Sequence, residues 1–330
     1  MKLKLAAALI LAVSGTALAD PLDIAASPVG SFQNFGNSSE FGPFAWRGGL
    51  SLQSTNADFG GLSGLALDGT CEQLIAVSDA GRWFTAQLGY DGAGRLASIG
   101  KAQLSPLLDD KGRPPPRKSK GDSEALAFLG QGKYLVGFES VVRLGIYDIG
   151  KSGLKARFQL VKSPKAITEG PSNGELESVG KLSSGPFKGH LIALSEKNLD
   201  AAGNIRGWVW KGSKTIPFSL ARLEDYDITD LAILPDGDVM TLERRYSPGS
   251  FPGMAIRRYS TSAITAGATV KPELLFEGRL PFYAIDNMEG IALCSRAGET
   301  RVTIVSDNNF DVTLQRTLLL QFAYRESVPP

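Results

Sequence analysis

Acidic side chains recur in this chain at two positions of a repeated hairpin, and they are the residues best placed to do chemistry. Glu124 opens a short apolar strand, Ala125–Phe128, and Glu139 ends the strand that returns beside it. In an antiparallel hairpin these two points lie at the same end, with the strands about 4.8 Å apart. Hairpins arranged around one axis would therefore gather their acids. The predicted pairs are Ser63 with Asp79, Glu124 with Glu139, Glu177 with Glu196, Asp230 with Glu243, and Glu289 with Asp307.

Carboxylates gathered in a confined site repel one another, so they must be protonated, paired with cations or bound to a metal. Ligands that are all oxygen favour a hard cation, and we expect Ca²⁺. Zinc is disfavoured because His190 is the only imidazole. The predicted metal ligands are the acids of the first strands, Glu124, Glu177, Asp230 and Glu289. The acids predicted to complete the shell or to activate water are Asp79, Glu139, Glu196, Glu243 and Asp307.

Basic residues follow several of these acids and are candidates to bind an anionic substrate. The predicted anion-binding residues are Arg82, Lys197, Arg244 and Arg245. The alternative is that they form structural ion pairs with the acids, since such networks perturb charges much as active sites do. The segment 109–121, DDKGRPPPRKSKG, is also basic. It is either a clamp for an anion or a solvated insertion.

The hairpin recurs five times, and this repetition predicts the fold. The first strands start 61, 53, 53 and 59 residues apart, and the second strands align independently as IAVSD, LVGFE, IALSE, VMTLE and TIVSD. Short strands separated by glycine-rich turns are typical of an all-β chain, and a period of this length is typical of a β-propeller. We predict five blades, with six as the alternative if residues 20–60 supply further strands.

The N-terminal segment is predicted to close the ring. The fifth repeat runs out after Thr317–Tyr324, and the strand-like segment Trp46–Ser54 has no acidic partner of its own. Pairing these two segments would leave only short, protected sheet edges. Residues 20–330 would then form one propeller domain.

Residues 1–19 have the pattern of a cleavable signal peptide. Lys2 and Lys4 precede the apolar run Leu5–Val13, which is too short to span a bilayer, and Ala17-Leu-Ala19 is a small-x-small cleavage site. We therefore expect cleavage near Asp20, export to a periplasm or beyond, and no membrane span. Cys71 and Cys294 would lie in neighbouring blades of a closed ring; they are either bridged or two buried free thiols.

The charge balance disfavours nucleic acid as a partner. The chain has 35 Lys and Arg against 34 Asp and Glu, a balance that argues against a nucleic-acid-binding protein, because such a protein needs a basic face. We expect a monomer that binds a small anionic or ester substrate. Serine nucleophile chemistry is poorly supported, because no G-x-S-x-G motif occurs and Gly61-Leu-Ser-Gly64 has the wrong spacing.

The order of motifs resembles the exported phytase-like family, described as having esterase-like activity of phytase. The resemblance covers nearly all of the chain after residue 19. It rests on Gly60-Gly-Leu-Ser-Gly64, Ser78-Asp79-Ala-Gly81, Asp122-Ser-Glu-Ala-Leu126, Glu175-Leu-Glu177, Ser195-Glu196, Asn287-Met-Glu-Gly-Ile291 and Ser306-Asp307. It implies a β-propeller that hydrolyses phosphate or carboxylic esters. Because propellers host many functions, two alternatives stay open: a non-catalytic propeller that binds a ligand or protein, and a lactonase-like metal-dependent hydrolase.

Overall fold

The repeated hairpins form five antiparallel blades around a common axis in a computed structural model, which describes residues 20–168, 176–246 and 251–326. The innermost strand of each blade contacts the innermost strands of the two neighbouring blades, and the last blade contacts the first. The prediction of an all-β propeller with five blades is confirmed. The predicted signal peptide, residues 1–19, lies outside the described residues.

The strands follow one another from the axis outwards in each blade. The N-terminal strands are β1 (Asp20–Pro21), β2 (Ala25–Pro28), β3 (Glu40–Phe41) and β4 (Phe44–Gln53). Blade one is β5 (Leu62–Leu67), β6 (Gln73–Ser78), β7 (Arg82–Tyr90) and β8 (Leu96–Pro106), with β1 at its outer edge. Blade two is β9 (Ser123–Gly130), β10 (Lys133–Phe138), β11 (Arg143–Asp148) and β12 (Gln159–Val161).

The remaining blades keep this order. Blade three is β13 (Ser178–Lys181), β14 (Leu191–Leu199), β15 (Ile205–Lys211) and β16 (Lys214–Leu220), and β20 (Thr269–Val270) runs parallel to β16. Blade four is β17 (Asp227–Ile233), β18 (Val239–Arg245), β19 (Gly253–Tyr259) and β21 (Glu273–Arg279). Blade five is β22 (Asn287–Arg296), β23 (Glu299–Asp307) and β24 (Thr317–Tyr324), followed by β4 and β2.

Helices are short and lie in the connections between strands. They are α1 (Lys118–Gly121), α2 (Ile149–Ser152), α3 (Lys165–Thr168) and the 3₁₀ turns Gly153–Lys155 and Thr261–Ala263. Within the described ranges, no helix combines the length and the apolar character needed to cross a membrane.

The ring is closed by the N-terminal strand, as predicted. β4 pairs antiparallel with β24, with Leu52 opposite Thr317 and Phe44 opposite Tyr324. A disulfide joins Cys71 in blade one to Cys294 in blade five, so the two blades that meet at the closure are also linked covalently. The choice that the sequence left open is therefore decided in favour of a bridge.

The inner strands are buried on both faces, because each lies between two neighbouring blades. Every residue of β5 is buried, although its sequence LSGLAL contains no regular alternation of polar and apolar residues. These strands approach closely at small side chains: a Cβ added to Gly290 would lie 2.3 Å from the carbonyl oxygen of Ser63 in the next blade. Glycine is required there because any larger side chain would separate blades five and one.

Candidate functional site

A local shift in pairing at the start of the inner strands selects the side chain that faces the channel. In blade two, Ser123 pairs with Phe138 and Ala125 with Gly137, so Glu124 lies between two paired positions. The same shift occurs in blades one, four and five, as in a β-bulge. In blade three the inner strand starts directly after the corresponding residue. The five equivalent residues are Ser63, Glu124, Glu177, Thr229 and Glu289.

The second channel-facing position lies just beyond the shift, where the second strand ends. Asp307 pairs with Asn287 in blade five, and Arg244 pairs with Asp227 at the same point of blade four. Backbone hydrogen bonds from Asp79 to Gly61 and from Glu139 to Asp122 mark this position in blades one and two. The five equivalent residues are Asp79, Glu139, Glu196, Arg244 and Asp307.

Asp230 and Glu243, the predicted site residues of blade four, therefore each lie one residue away from the channel-facing positions, Thr229 and Arg244. The expectation that they face the channel is wrong. Asp230 is fully buried, and its carboxylate accepts hydrogen bonds from the N–H groups of Leu231 and, across the blade boundary, Ile291, at 2.8 and 2.9 Å. Glu243 is also fully buried; it accepts a 2.7 Å bond from Arg257 Nε inside the blade. A shift of one residue turns a strand side chain to the opposite face.

Two of the predicted anion-binding residues also lie away from the channel. Arg82 forms an ion pair with Asp58 at 2.6 Å. Arg245 lies over the ring of Tyr226, 5.5 Å from its centroid, with Glu224 at 3.9 Å. The structural alternative, that the basic residues form ion pairs, describes all four residues, because Lys197 pairs with Glu196 and Arg244 with Glu289.

The other predicted residues do come together in one cavity of about 520 Å³, which we call the acidic mouth. Its walls combine both channel-facing positions with the end of the segment 109–121, which we call the basic loop. Its lining residues are Ser63, Asp79, Lys118, Ser119, Asp122, Glu124, Glu139, Ser140, Glu177, Glu196, Lys197, Arg244, Glu289, Asp307 and Asn309.

Blades two and three supply the part of the mouth that fits a metal ion. One carboxylate oxygen each from Glu139, Glu177 and Glu196 lies within 4.8 Å of the others, and Asp122, Glu124 and Glu139 form a second such group. Within the described residues, no donor hydrogen-bonds to the carboxylate of Glu177, which is 7% exposed. Burial, and then the charges of Glu124 and Glu196, raise the pKa of Glu177 well above its usual range. Glu196, in contrast, is paired with Lys197 at 2.7 Å and with Arg244 at 3.3 Å. A set of carboxylate oxygens around the buried Glu177, which has no donor within the described ranges, suits a hard cation such as Ca²⁺.

Blades four and five supply the opposite arrangement, in which a protein cation neutralises the acids. Arg244 Nη1 donates to Glu289 and to Asn287 Oδ1, and its Nη2 lies 3.3 Å from Glu196. Burial alone would lower the pKa of Arg244, but the carboxylates around it outweigh burial and raise that pKa. Burial raises the pKa of Glu289 to about 8, despite the opposing effect of Arg244.

Blade one contributes the third part of the mouth. Lys118 Nζ reaches across to Asp79 Oδ2 at 2.6 Å, while Asp79 Oδ1 is buried and has no hydrogen-bond partner among the described residues. Burial raises the pKa of Asp79, and Lys118 opposes that rise. Burial also raises the pKa of Asp307 to about 6.

Lys118 lines the mouth, and Thr229 occupies the blade-four position equivalent to Glu124 and Glu289; neither residue was singled out from the sequence, although Lys118 lies in the segment 109–121 considered as an anion clamp. Lys118 belongs to the basic loop, whose path over blade one is not encoded in the hairpin repeat. Thr229 could have been found by aligning the apolar residues: Leu65, Leu126, Val179, Leu231 and Ile291 are equivalent. In that alignment Thr229, and not Asp230, is equivalent to Glu124 and Glu289.

Comparison with known proteins supports the family assignment. The family model described as "Phytase-like: Esterase-like activity of phytase" matches residues 57–310, which include every residue that lines the mouth. No curated protein matches the chain significantly. This match over most of the chain agrees with the order of the blades and with the acids that they direct into one channel. The chain belongs to the phytase-like family.

Proposed function

We propose that the protein hydrolyses phosphate esters at the acidic mouth with the help of a bound divalent cation, most simply Ca²⁺. The observation that carries the proposal is the cluster of Glu139, Glu177 and Glu196, whose oxygens lie within 4.8 Å of one another around a carboxylate without a hydrogen-bond donor among the described residues. The family description supports hydrolysis of an ester. The identity of the cation and the phosphate substrate are our inference from the donor set.

The electrostatics of the mouth explain why a cation is needed. Seven carboxylates occupy the ten channel-facing positions, so the protein alone would repel an anionic substrate. A divalent ion held by Glu139, Glu177 and Glu196, with Glu124 beside them, would polarise a phosphoryl oxygen and offset the charge that develops on it. Those four carboxylates then serve to hold the ion.

The cationic side chains at the rim are placed to orient the substrate. The side chains of Lys118 and Lys197 are 64% and 54% exposed, whereas their partners Asp79 and Glu196 lie deeper. An incoming phosphate therefore meets both ammonium groups before it reaches the carboxylates. Asp307, at the far side from blade three, has a raised pKa of about 6 and is suited to exchange a proton with water near neutral pH.

Phosphate esters are favoured over carboxylic esters by the residues present. Hydrolysis through a serine would need a base beside it, but the single histidine, His190, lies in a turn with its Nδ1 3.0 Å from the carbonyl oxygen of Phe187. Ser140, which lines the mouth, donates its hydroxyl to Asp122 and has no imidazole partner. A metal-assisted attack by water needs neither group.

A panel of phosphate and acyl esters, assayed in calcium and in chelator, tests the proposal. We expect phosphate release that needs the cation and that falls about 100-fold or more in Glu177→Gln, because the ligand set loses a charge. Glu224→Gln is the matched control, since Glu224 is a glutamate whose side chain is 78% exposed outside the mouth. Turnover that is unaffected by chelator would refute the metal mechanism, and no turnover of any ester would favour the non-catalytic binding protein.

Export is a second part of the proposal. The Cys71–Cys294 disulfide suits an oxidising compartment, and residues 1–19 have the sequence of a signal peptide. We expect the mature chain to start near Asp20 and to be recovered from the periplasm or the medium. N-terminal sequencing of fractionated cells tests this, and an intact Met1 in the cytoplasmic fraction would contradict it.

A further inference from the structure

A second cavity, of about 640 Å³, lies beside the acidic mouth and shares no lining residue with it. One wall is the basic loop, including Pro114–Pro116, and the other is blade two. We call it the aromatic pocket; its aromatic wall is Phe138, Tyr147 and Phe158. Phe138 immediately precedes Glu139, so the two cavities lie back to back. The volume is in the range of small-molecule sites.

Arg143 is the residue that gives this pocket a chemical preference. Its guanidinium carbon lies 3.9 Å from the ring centroid of Phe138 and 5.7 Å from that of Phe158. Its Nη1 and Nη2 donate to the backbone carbonyls of Val141 and Lys120. An arginine has five N–H groups, so these two bonds leave donors available to a ligand.

Arg143 lacks a counter-ion among the described residues, and this distinguishes it from the other arginine of the pocket. Within ranges 20–168, 176–246 and 251–326, no carboxylate lies at ion-pair distance from Arg143. Arg113, by contrast, is paired with Asp109 at 2.8 Å. A half-buried cation between aromatic rings loses hydration without gaining a charge partner, which favours binding of an anion from solution.

The rest of the pocket is suited to an apolar body attached to that anion. Leu160 is 72% exposed at the rim, and covering its apolar side chain with a ligand would be favourable in free energy. The prolines opposite have a fixed φ, so this wall loses little conformational entropy when a ligand binds. Asp110 lies at the exposed rim, and Asp109 is paired with Arg113, so the charge that faces the aromatic wall of the pocket is that of Arg143, with Lys120 as a second cation in the lining.

We propose that the aromatic pocket is a second ligand site, which binds a small aromatic organic anion. The carboxylate or sulfonate of the ligand pairs with Arg143, and its ring packs against Phe158 and Leu160. The site is separate from the acidic mouth and does not depend on the proposed hydrolysis. It would bind such an anion in the presence of chelator, when the mouth repels anions.

Titration with 2-naphthoate and naphthalene-2-sulfonate in chelator, followed by calorimetry, tests this site. We expect saturable binding of both probes at one site, and much weaker binding of neutral 2-naphthamide. Arg143→Gln should weaken naphthoate binding about tenfold or more, as expected for loss of a charge-assisted hydrogen bond. Arg113→Gln is the matched control and should change it less than about twofold, because Arg113 already has a partner.

Two further variants distinguish binding in this pocket from binding elsewhere on the protein. Leu160→Glu adds a carboxylate at an exposed position, so it should weaken anion binding without affecting folding, even if Arg143→Gln is unstable. Glu177→Gln should leave naphthoate binding unchanged, whereas it should lower the proposed hydrolysis about 100-fold or more. Absence of saturable binding, or binding that is insensitive to both Arg143→Gln and Leu160→Glu, would overturn the proposal.

Discussion

Blade four and blades two and three place different charges at equivalent positions of the same channel. Blades two and three contribute two glutamates each, whereas blade four contributes Thr229 and Arg244. Blade four is nevertheless rich in acids: Asp230 joins it to blade five, and Glu243 pairs with Arg257 inside it. The difference shows that strand register, and not residue type, decides which acids belong to the mouth.

The contrast also explains how the mouth can exist in a folded protein. Arg244 neutralises Glu289 and reaches Glu196, so the side of the mouth at blades four and five is balanced by the chain itself. At blades two and three, Glu177 has no hydrogen-bond donor within the described residues. That side needs protons or a metal ion, and the division of the mouth into a balanced and an unbalanced side is its central property.

The largest predicted effect is the loss of the ion pair inside blade four. Arg257 and Glu243 are 4% and 0% exposed, and removing one partner leaves a buried charge. Arg257→Met should therefore lower the free energy of unfolding by about 3–5 kcal/mol, measured by urea denaturation. The double variant Arg257→Met/Glu243→Met should recover most of the loss. If Arg257→Met instead left stability unchanged but lowered metal affinity, Glu243 would belong to the mouth after all.

A smaller loss of stability is predicted for the cation at the mouth. Arg244→Met should cost about 2–3 kcal/mol in chelator, less than Arg257→Met. The side chain of Arg244 is 28% exposed, and Asn287 Nδ2 still donates to Glu289 at 2.7 Å. Calcium should recover part of the loss, because the variant leaves more unbalanced acid in the mouth. Denaturation curves with and without calcium measure this, and equal losses in both conditions would contradict it.

Most of the fold could be predicted from sequence, because the five hairpin repeats and the glycine-rich turns between their strands specify five blades. The strand left over at the N-terminus then closes the ring. The site was harder to predict. A register shift at the start of the inner strands moves the channel-facing position by one residue, and aligning acid with acid hides that shift in blade four. Aligning Leu231 with Leu126 would have revealed it. Lys118 could not be predicted in this way, because loop paths are set by tertiary contacts.

The buried acids that blade five contributes to the mouth also predict how stability depends on pH. In the folded protein the pKa of Glu289 is about 8 and that of Asp307 about 6, against ordinary values of 4.5 and 3.8. Between the ordinary and the raised pKa of each acid, the folded state holds more protons than the unfolded state. The free energy of unfolding should therefore fall as the pH rises through that range. In chelator, the melting temperature should be lower at about pH 8 than at about pH 5.5. Calcium should reduce this difference, and a melting temperature that rose with pH in chelator would count against the raised pKa values of Glu289 and Asp307.

The smallest predicted effect concerns the rim. The ion pair of Lys118 with Asp79 is partly exposed, so Lys118→Met should change the free energy of unfolding by less than about 1 kcal/mol. If Lys118 orients the phosphate, its loss should raise KM several-fold and leave the calcium dependence unchanged. Lys120→Met is the matched control, since Lys120 is in the same four-residue helix but lines the aromatic pocket. Equal KM values in the two variants would assign Lys118 to neutralising Asp79 alone, and anion recognition at the mouth would then depend on Lys197 and the cation.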